Sequence, residues 1–282
     1  MPTVIKGQPT SKEVLQTLKA ENRPVALSFS CGKDSIAAWL AMLEYDIEVV
    51  PFYFWLVPNL AFIDEELEYF EDFFDTPIHR YPNPSFYRLL NGAVFQSPEH
   101  LKVLDAVGGI PTPDYAEMWE VILEENGLPQ DTWRADGVRA ADSIVRRSSF
   151  TQHGVMKQAS RKVSPVADFL KAEVMDIIEK HGCKLPIDYE IFGRSFDGID
   201  KRFTEPMKEH LPEDGFEFCP ATREWFEAWR SSRATDDWDA RQWQYMFDTA
   251  IVHSLVYGSY DFHWLSELRT RLTQMGLYFE QE

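Results

Sequence analysis

The stretch LSFSCGKDSIAAWLAM, from Leu27 to Met42, decides the fold because it runs from apolar residues through a short polar turn into a segment with helical spacing. Gly32 and Lys33 give the turn the look of a Walker phosphate loop, which has the pattern G-x-x-x-x-G-K-[ST]. Leu27 stands where that pattern has its first glycine, and Asp34 stands where it has a hydroxyl. The turn is therefore not a Walker loop, and another kind of contact has to explain it.

The turn nevertheless has the residues of a phosphate site at a helix N-terminus, where unpaired N–H groups and the helix dipole favour an anion. Gly32 allows close approach to the backbone, Lys33 adds a mobile positive charge, and Ser30 and Ser35 add hydroxyls. No Glu or Gln follows Ser30 or Asp34 three residues later, so no capping box closes the turn. Asp34 either holds the turn, carries Mg²⁺ that bridges to phosphate, or caps the helix of an ordinary corner. We expect this loop to face solvent.

The residues around the turn predict a β-α-β-α opening. Strands are predicted at Pro24–Ser30 and Ile47–Trp55, and the second is apolar almost throughout, as in a parallel strand covered on both faces. The fold class is therefore α/β, a doubly wound and mostly parallel sheet that binds ligands at the carboxyl ends of its strands. Two stripes of apolar residues at helical spacing support this order. The first is Ile36, Trp39, Leu40 and Leu43, and the second is Ile63, Leu67, Phe70 and Phe74, whose helix has acids on its outer face.

The later sequence continues the pattern and then changes. After a surface excursion at 108–113 we expect a helix at Tyr115–Asn126 and a strand at Thr132–Asp136. A further helix contains Leu170 to Ile178 and ends at a cap formed by His181-Gly182. Beyond about Pro186 the chain is rich in tryptophan with helical spacing. We expect an α/β domain over residues 1–185 and a mainly helical C-terminal region over residues 186–282.

Composition excludes several classes of protein. The chain has 282 residues, 44% of them hydrophobic, which is enough for a packed interior. Its 28 Lys and Arg against 46 Asp and Glu give a net charge of -18, which argues against non-specific nucleic-acid binding and against an anionic membrane. The three cysteines form no C-x-x-C pair, so no zinc site, iron–sulfur cluster or disulfide framework is indicated. With no apolar run of membrane-spanning length and no signal-peptide core, we expect a protein of the reducing cytoplasm.

The segment SFSCGKDS, residues 28–35, resembles the S-G-G-x-D-S pyrophosphate loop of the adenine nucleotide alpha-hydrolase superfamily, also called PP-loop ATP pyrophosphatases. Within it the chain resembles the phosphoadenosine phosphosulfate (PAPS) reductase-like family, including its bacteriophage members, which would place it in a host cytoplasm. Cys31 replaces the first glycine of the motif, which leaves a different backbone or a lost amide contact open. The resemblance implies nucleotide contacts at Ser30, Cys31, Gly32, Lys33, Asp34 and Ser35, with weaker adenine contacts at Ser28 and the strand end Tyr53–Phe54.

A second segment, GVRAADSIVRRSSF at residues 137–150, resembles the G-x-R-x-x-E-S-x-x-R motif of the same family, with Asp142 for the usual Glu. The alternative is that its arginines pair with surface acids on a helix. SPVADFLKAEVMDIIEKHG, residues 164–182, matches the strand-turn-helix that follows, so the resemblance covers roughly residues 24–182. It implies further nucleotide contacts at Gly137, Arg139, Ser143, Arg146 and Arg147. LPIDYEIFGRSFDGIDKRF, residues 185–203, resembles the phage-type members and implies a weaker substrate pocket of Arg194, Ser195 and Arg202.

The reductases of this family attack sulfur with a cysteine in a C-terminal E-C-G-[IL]-H segment, which this chain lacks. Cys183 and Cys219 are expected to be inert, and Cys219 has no basic residue beside it. The first hypothesis is therefore an enzyme that cleaves ATP at the α–β bond, releases pyrophosphate and transfers the adenylyl group to an unknown acceptor.

In that hypothesis Lys33, Asp34 and Arg139 are the catalytic residues, and Asp34 holds Mg²⁺ through the phosphates. The alternatives are a thiol-dependent PAPS reductase that uses Cys219 and a catalytically silent nucleotide-binding protein. The tryptophan-rich C-terminal region leaves a homodimer or a protein partner open.

Overall fold

The computed structural model describes residues 3–91, 108–198 and 201–211, together with residues 104 and 106. The chain divides into two compact units, one of Met1–Pro82 and Tyr115–Phe196, and one of Asn83–Asp114 and Asp197–Glu282. The expected boundary between residues 185 and 186 stays a prediction, as does the helical C-terminal region, because most of that region lies outside the described residues.

The first unit contains a six-stranded sheet with the order β3-β2-β1-β4-β6-β5. Every neighbouring pair is parallel except β5 and β6, which are antiparallel. This confirms the predicted α/β class with a doubly wound, mostly parallel sheet. The strands are β1 Val25–Ser28, β2 Val49–Trp55, β3 His79–Pro82, β4 Trp133–Ala135, β5 Met156–Lys157 and β6 Lys162–Val163.

The order of the strands fixes where a ligand site can form. The chain adds β2 and β3 on one side of β1 and then crosses to add β4 on the other side. Ser28 of β1 lies opposite Phe52 of β2, and Leu27 lies opposite Ala135 of β4. The carboxyl ends of β1 and β4 are therefore neighbours at the topological switch point, where sheets of this kind bind their ligands.

Helices connect and flank these strands. A capping box of Thr10 and Glu13 begins the first of them, in which Thr10 accepts the Glu13 N–H and Glu13 accepts the Thr10 N–H. The helix that ends at Lys180 is followed by His181 as its C-cap and by Gly182 with φ of 65°, as the sequence predicts. In the first unit the helices are α1 Ser11–Glu21, α2 Lys33–Leu43, α3 Ala61–Phe74, α5 Tyr115–Glu125, α6 Ile144–His153, α7 Lys171–Lys180 and α8 Asp188–Ile191; the second unit contributes α4 Pro84–Leu90 and α9 Lys201–His210.

Helix α2 is the centre of the core of the first unit. Its residues 35–42 are all buried, so the prediction of an amphipathic helix with one apolar stripe is wrong. Small alanines at 37, 38 and 41 let other elements pack closely around it, and α7 lies against it. Trp39 stacks on Phe74 with ring centres 3.8 Å apart, and Phe29 meets Trp39 edge to face at 5.2 Å.

Helix α3 presents its apolar stripe to the same core, as predicted, with Leu67 and Phe70 fully buried. The expectation that its acids all face outward is wrong for Glu66, which is 6% exposed. No helix within residues 3–91, 108–198 and 201–211 has the length and apolarity to cross a membrane.

Candidate functional site

The loop between β1 and α2 begins with an unusual backbone conformation. Cys31 has φ of 56°, in the left-handed region that glycine adopts most easily, and it stands where the resembling motif has glycine. Gly32 then caps α2 with extended backbone and no side-chain capping bond. Asp34 lies inside the first turn of α2, so the alternative in which it caps the helix is wrong.

The N–H groups of this loop divide into two sets. Ser30 donates its N–H to the Ser35 hydroxyl at 3.2 Å, and Ser35 donates its own to the Gly32 carbonyl at 2.9 Å. For Cys31, Gly32 and Asp34, no atom of the described chain accepts the N–H. Cys31 and Gly32 are buried, and leaving a buried N–H unpaired costs about 1–3 kcal/mol. The loop therefore presents N–H donors that an anion would satisfy.

The two serine hydroxyls of the loop face each other. Their oxygens lie 3.2 Å apart, and the Ser35 hydroxyl also donates to the Gly32 carbonyl at 2.9 Å. Ser30 is exposed, whereas Ser35 is 3% exposed. The expectation that the whole loop faces solvent is therefore wrong, because Cys31, Gly32 and Ser35 are buried, whereas Ser30 is exposed and Lys33 and Asp34 are half-buried.

An ion-pair chain connects the loop to the segment that follows β4. We use this name for five residues that contact each other in the order Lys33, Asp34, Arg139, Asp142 and Arg146. Lys33 Nζ lies 2.7 Å from Asp34 Oδ2, and Arg139 Nε lies 2.7 Å from Asp34 Oδ1. Asp142 then accepts from Arg139 with one carboxyl oxygen and from Arg146 with the other. These five residues carry three positive and two negative charges, so the ion-pair chain has a net charge of +1.

Arg139 is the buried centre of this chain, with a side chain 4% exposed. Its guanidinium contacts both carboxylates and also donates to the Phe169 carbonyl at 3.3 Å. All of these contacts are within the protein, so Arg139 braces Asp34 and the first turn of α2. Lys33 and Arg146 are more accessible, with side chains 20% and 50% exposed.

Gly137 brings the two motifs together by having no side chain. A Cβ at this position would lie 2.6 Å from the carbonyl carbon of Asp34 and 2.6 Å from the nitrogen of Ser35. Real Cβ atoms essentially never approach backbone that closely. Only glycine therefore allows the strand end after β4 to pass beside the first turn of α2.

Helix α6 carries the remaining residues of the second motif. Ser143 caps the helix by accepting the Arg146 N–H at 3.1 Å. Arg146 reaches the ion-pair chain through Asp142, whereas Arg147 is exposed and makes no side-chain contact within the described residues. The structure thus places Arg139 and Arg146 beside the loop, whereas Arg147 is not part of the ion-pair chain.

The closing segment, by which we mean residues 186–196, covers the loop from the other side. The Tyr189 hydroxyl accepts the Lys33 N–H at 2.9 Å, and a Cβ on Gly32 would lie 3.1 Å from Ser195 Oγ. Ser195 is therefore beside the loop, and Arg194 is exposed in the same segment, while their role in a substrate pocket stays a prediction. Arg202 belongs to the second unit, where it lies 3.9 Å from Asp197. Sequence reasoning missed Tyr189, which is separated from the loop by 156 residues.

The weaker adenine candidates lie at the ends of the neighbouring strands. Ser28 ends β1 and is half-buried. Phe54 of β2 is also half-buried and meets Phe52 and Tyr115 edge to face, with ring centres 5.4 and 5.8 Å apart. Tyr53 is buried, and burial raises the pKa of its phenol. Phe54 and Tyr115 are thus partly exposed aromatic rings at this strand end.

Asp34 is engaged by two cationic side chains in this structure. Its two carboxyl oxygens are each 2.7 Å from a cationic nitrogen, one of Lys33 and one of Arg139. The role of Asp34 as a magnesium ligand stays a prediction. In the described part of the chain no group of three His, Cys, Asp or Glu is placed to hold a metal ion.

The thiols of the first unit are placed as inert groups, as expected. Cys31 is 1% exposed, and burial raises the pKa of its thiol well above the ordinary value. Cys183 is buried at the end of α7, and burial raises its pKa to about 11. Because the thiolate is the nucleophile, neither group is poised to react at neutral pH. Cys219 lies outside the described residues.

Two buried carboxyl groups that sequence reasoning missed lie behind the loop, and we call Glu66 and Asp188 the acid pair. They are 6% and 1% exposed, and the Asp188 N–H donates to Glu66 Oε1 at 3.4 Å. Burial raises the pKa of Glu66 to about 8, with a further rise from the charge of Asp188, and burial raises the pKa of Asp188 to about 6. No sequence signal marks either group, because each lies among other acidic and polar residues.

No family model and no curated protein matches this chain. Among solved structures it is similar to phosphoadenylyl-sulfate (PAPS) reductase from Candida auris in a phosphate complex, with 13% identity over 67% of this chain and 88% of that chain, at a TM-score of 0.39. It is also similar to a predicted subunit of tRNA methyltransferase from Methanocaldococcus jannaschii, with 14% identity over 70% of this chain and 93% of that chain, at a TM-score of 0.34. At these sequence identities and TM-scores the likeness assigns no function to this chain.

Proposed function

We propose that this protein is a PAPS reductase-like, PP-loop enzyme that binds ATP at residues 30–35 and cleaves it at the α–β bond. Pyrophosphate leaves, and the adenylyl group passes to an acceptor. The observation that carries this proposal is the set of backbone N–H groups of Cys31, Gly32 and Asp34, which have no acceptor in the described chain at the start of an 11-residue helix. Phosphate oxygens are the acceptors that such a helix start favours.

The charges around the loop support pyrophosphate as the leaving group. The ion-pair chain has a net charge of +1 in a protein whose net charge is -18. Lys33 and Arg146 have accessible side chains, so they can turn toward phosphate oxygens and stabilise the charge that develops there. Arg139 acts differently in this proposal, because its buried guanidinium holds Asp34 and so fixes the first turn of α2.

The nucleoside would lie along the strand ends beside the loop. Phe54 and Tyr115 supply partly exposed aromatic rings there, and aromatic faces stack on planar bases. Ser28 adds a hydroxyl at the end of β1. Because β1 leads directly into the loop, a nucleoside attached to phosphates bound at the loop would lie beside the ends of β1 and β2.

The two described thiols do not offer the nucleophile that sulfonucleotide reduction needs, so the reductase alternative depends on Cys219, which lies outside the described residues. A reductase needs a thiolate that attacks sulfur, whereas Cys31 and Cys183 are buried with raised pKa values. Transfer of an adenylyl group needs no thiol, since the attacking group belongs to the acceptor and the protein supplies position and electrostatic stabilisation.

Calorimetric titration of the full chain with pyrophosphate, ATP and AMP tests the site. We expect pyrophosphate and ATP to bind and AMP to bind much more weakly, because AMP lacks the group that the loop holds. Lys33→Ala should weaken pyrophosphate binding about tenfold or more, the effect of losing one charge-assisted contact of about 1.5–3 kcal/mol. Lys171→Ala, an exposed lysine at the start of α7, is the matched control. Equal pyrophosphate affinity of Lys33→Ala and wild type would refute the site.

A further inference from the structure

The closing segment occupies one of the donors that the proposed phosphate site needs. Lys33 is the first helical residue of α2, and its N–H donates to the Tyr189 hydroxyl at 2.9 Å. A phenol oxygen in this position satisfies the N–H as a phosphate oxygen would. Ser195 Oγ lies close beside Gly32 on the same side. An anion that uses the Lys33 N–H must therefore displace Tyr189.

The acid pair anchors this segment from beneath. Asp188 directly precedes Tyr189, and its Oδ2 accepts the Phe196 N–H at 2.7 Å, which joins the two ends of the segment. Glu66 Oε1 in turn accepts the Asp188 N–H at 3.4 Å, which ties the segment to α3. Phe62 of α3 also packs edge to face against Phe196, with ring centres 5.6 Å apart. The two buried carboxyl groups thus make the hydrogen bonds that hold the backbone beside Tyr189.

Each carboxyl group of the pair has one oxygen that is not satisfied. Glu66 Oε2 and Asp188 Oδ1 are both buried and have no hydrogen-bond partner within the described residues. A buried carboxylate without partners is costly, and two such charges near each other repel strongly in a medium of low dielectric. A bound proton removes one charge and converts one unsatisfied oxygen into a hydroxyl.

We propose that Glu66 and Asp188 together form a proton-binding site that controls access to the loop. With one proton on the pair, the closing segment stays in place and Tyr189 keeps the Lys33 N–H. With the proton lost, two buried negative charges push the segment away, and the Lys33 N–H becomes available to phosphate. The effect of the proton on the closing segment follows from the contacts described above. The effect of the proton on phosphate binding rests on the proposed function.

The surroundings of the pair favour the protonated form at neutral pH. The raised pKa values, about 8 for Glu66 and about 6 for Asp188, assign the shared proton to Glu66 between these two values. Among the described residues, burial and the charges of Glu66 and Asp188 raise the pKa of Cys31 in the loop and of Tyr53 in β2, and burial and the charge of Asp188 raise the pKa of Tyr189 in α8. Asp64 of α3 acts on Tyr53 and Arg80 of β3 acts on Cys31, while Arg80 itself pairs with Asp64 and Glu71.

Hydrogen–deuterium exchange of the ligand-free full chain tests the proposal, with protection corrected for the intrinsic pH dependence of exchange. With a pKa of about 8, the protonated fraction of Glu66 falls from about 90% at pH 7 to about 10% at pH 9. We expect the protection of peptides covering residues 29–36 and 187–196 to fall about ninefold over this range in the wild type. Glu66→Gln, a neutral group of the same shape, should keep both peptides protected at pH 9.

Three further variants complete the test. Glu68→Gln makes the same charge change at an exposed position of α3 and should behave as the wild type does. Tyr189→Phe should lower the protection of the loop peptide at both pH values and leave the pH response of peptide 187–196 in place. Asp188→Asn removes the like-charge repulsion from the other side and should also flatten the response, which keeps the test valid if Glu66→Gln fails to fold.

The same loss of protection with pH in wild type and Glu66→Gln would overturn the proposal, and so would full protection of both at pH 9. Titration with pyrophosphate at pH 7 and pH 9 measures whether the proton also changes the affinity of the loop for its ligand. Because pyrophosphate itself ionises, the ratio of wild-type to Glu66→Gln affinity is compared at each pH, and we expect it to rise about ninefold at pH 9. If pyrophosphate binds neither protein, the proposed function is wrong, while the exchange result still decides the proton-binding site.

Discussion

Replacement of Glu66 by Gln should change how the stability of the protein depends on pH. Burial and the neighbouring charge of Asp188 raise the pKa of Glu66 from 4.5 to about 8. The folded protein therefore binds a proton that the unfolded chain has already lost throughout the range from about 4.5 to about 8. By linkage, this group contributes stability that is fully present below pH 4.5 and is lost as the pH rises to about 8.

The magnitude follows from the width of that range. Each pH unit costs about 1.4 kcal/mol, so wild type should lose about 3 kcal/mol of unfolding free energy from this group between pH 5 and pH 7. The full loss up to pH 8 is about 5 kcal/mol. Glu66→Gln has no proton to lose, so its advantage over wild type should grow with pH by these amounts and then stay constant.

Urea unfolding of both proteins at several pH values between 5 and 9 measures this difference directly. Titrating groups that do not interact with Glu66 affect both proteins alike and cancel in the comparison, and Asp188, which does interact with it, titrates mainly below pH 7. Glu68→Gln on the exposed face of α3 should follow wild type at every pH. If the stability curves of wild type and Glu66→Gln run parallel from pH 5 to pH 9, Glu66 does not hold its proton in the folded state and the reasoning is wrong.

Gly137→Ala should destabilise the protein by about 1–3 kcal/mol and weaken pyrophosphate binding, because its Cβ would lie 2.6 Å from the backbone of Asp34 and Ser35. Gly198→Ala, where a Cβ meets nothing within 4 Å, is the control in urea unfolding and calorimetry, and equal behaviour of the two would contradict the close approach. Asp34→Asn should lower pyrophosphate affinity about tenfold while the circular dichroism spectrum stays that of wild type, since it loosens both cationic contacts of the loop; unchanged affinity would count against the ion-pair chain. A variant with serine at all three cysteine positions should still bind pyrophosphate, and neither it nor wild type should produce sulfite from PAPS with a thiol donor. Sulfite from wild type that disappears on changing Cys219 alone would favour the reductase instead.

Local sequence was sufficient to predict the elements that carry the site. The polar turn after an apolar strand predicts β1, the loop and the start of α2, because glycine and serine at a strand end leave few other structures. Order along the chain predicts that Arg139 meets the loop, since a parallel sheet brings the ends of neighbouring strands together. The structure agrees, with Arg139 Nε 2.7 Å from Asp34 Oδ1.

The parts that sequence could not predict depend on distant contacts. Helix α2 is buried on nearly all sides because α7, β1 and β2 contact it, and its buried alanines carry little hydrophobic signal in a pattern. Glu66 has the same local context as the exposed Glu65 and Glu68, and only the approach of the closing segment, about 120 residues later, makes it buried. The contact between Tyr189 and Lys33 likewise has no local cause.

The shortness of the outer strands has a consequence for association between molecules. An edge strand offers unpaired N–H and C=O groups on which another chain can add a strand, and proteins limit this with short, charged or proline-containing edges. Here one edge is β5 with two residues, including Lys157, and the other is β3 with four, which include Arg80 and end at Pro82. Among the described residues, each edge of this sheet thus offers little backbone on which a second copy could add a strand. Association of two copies through the edges of this sheet is therefore disfavoured.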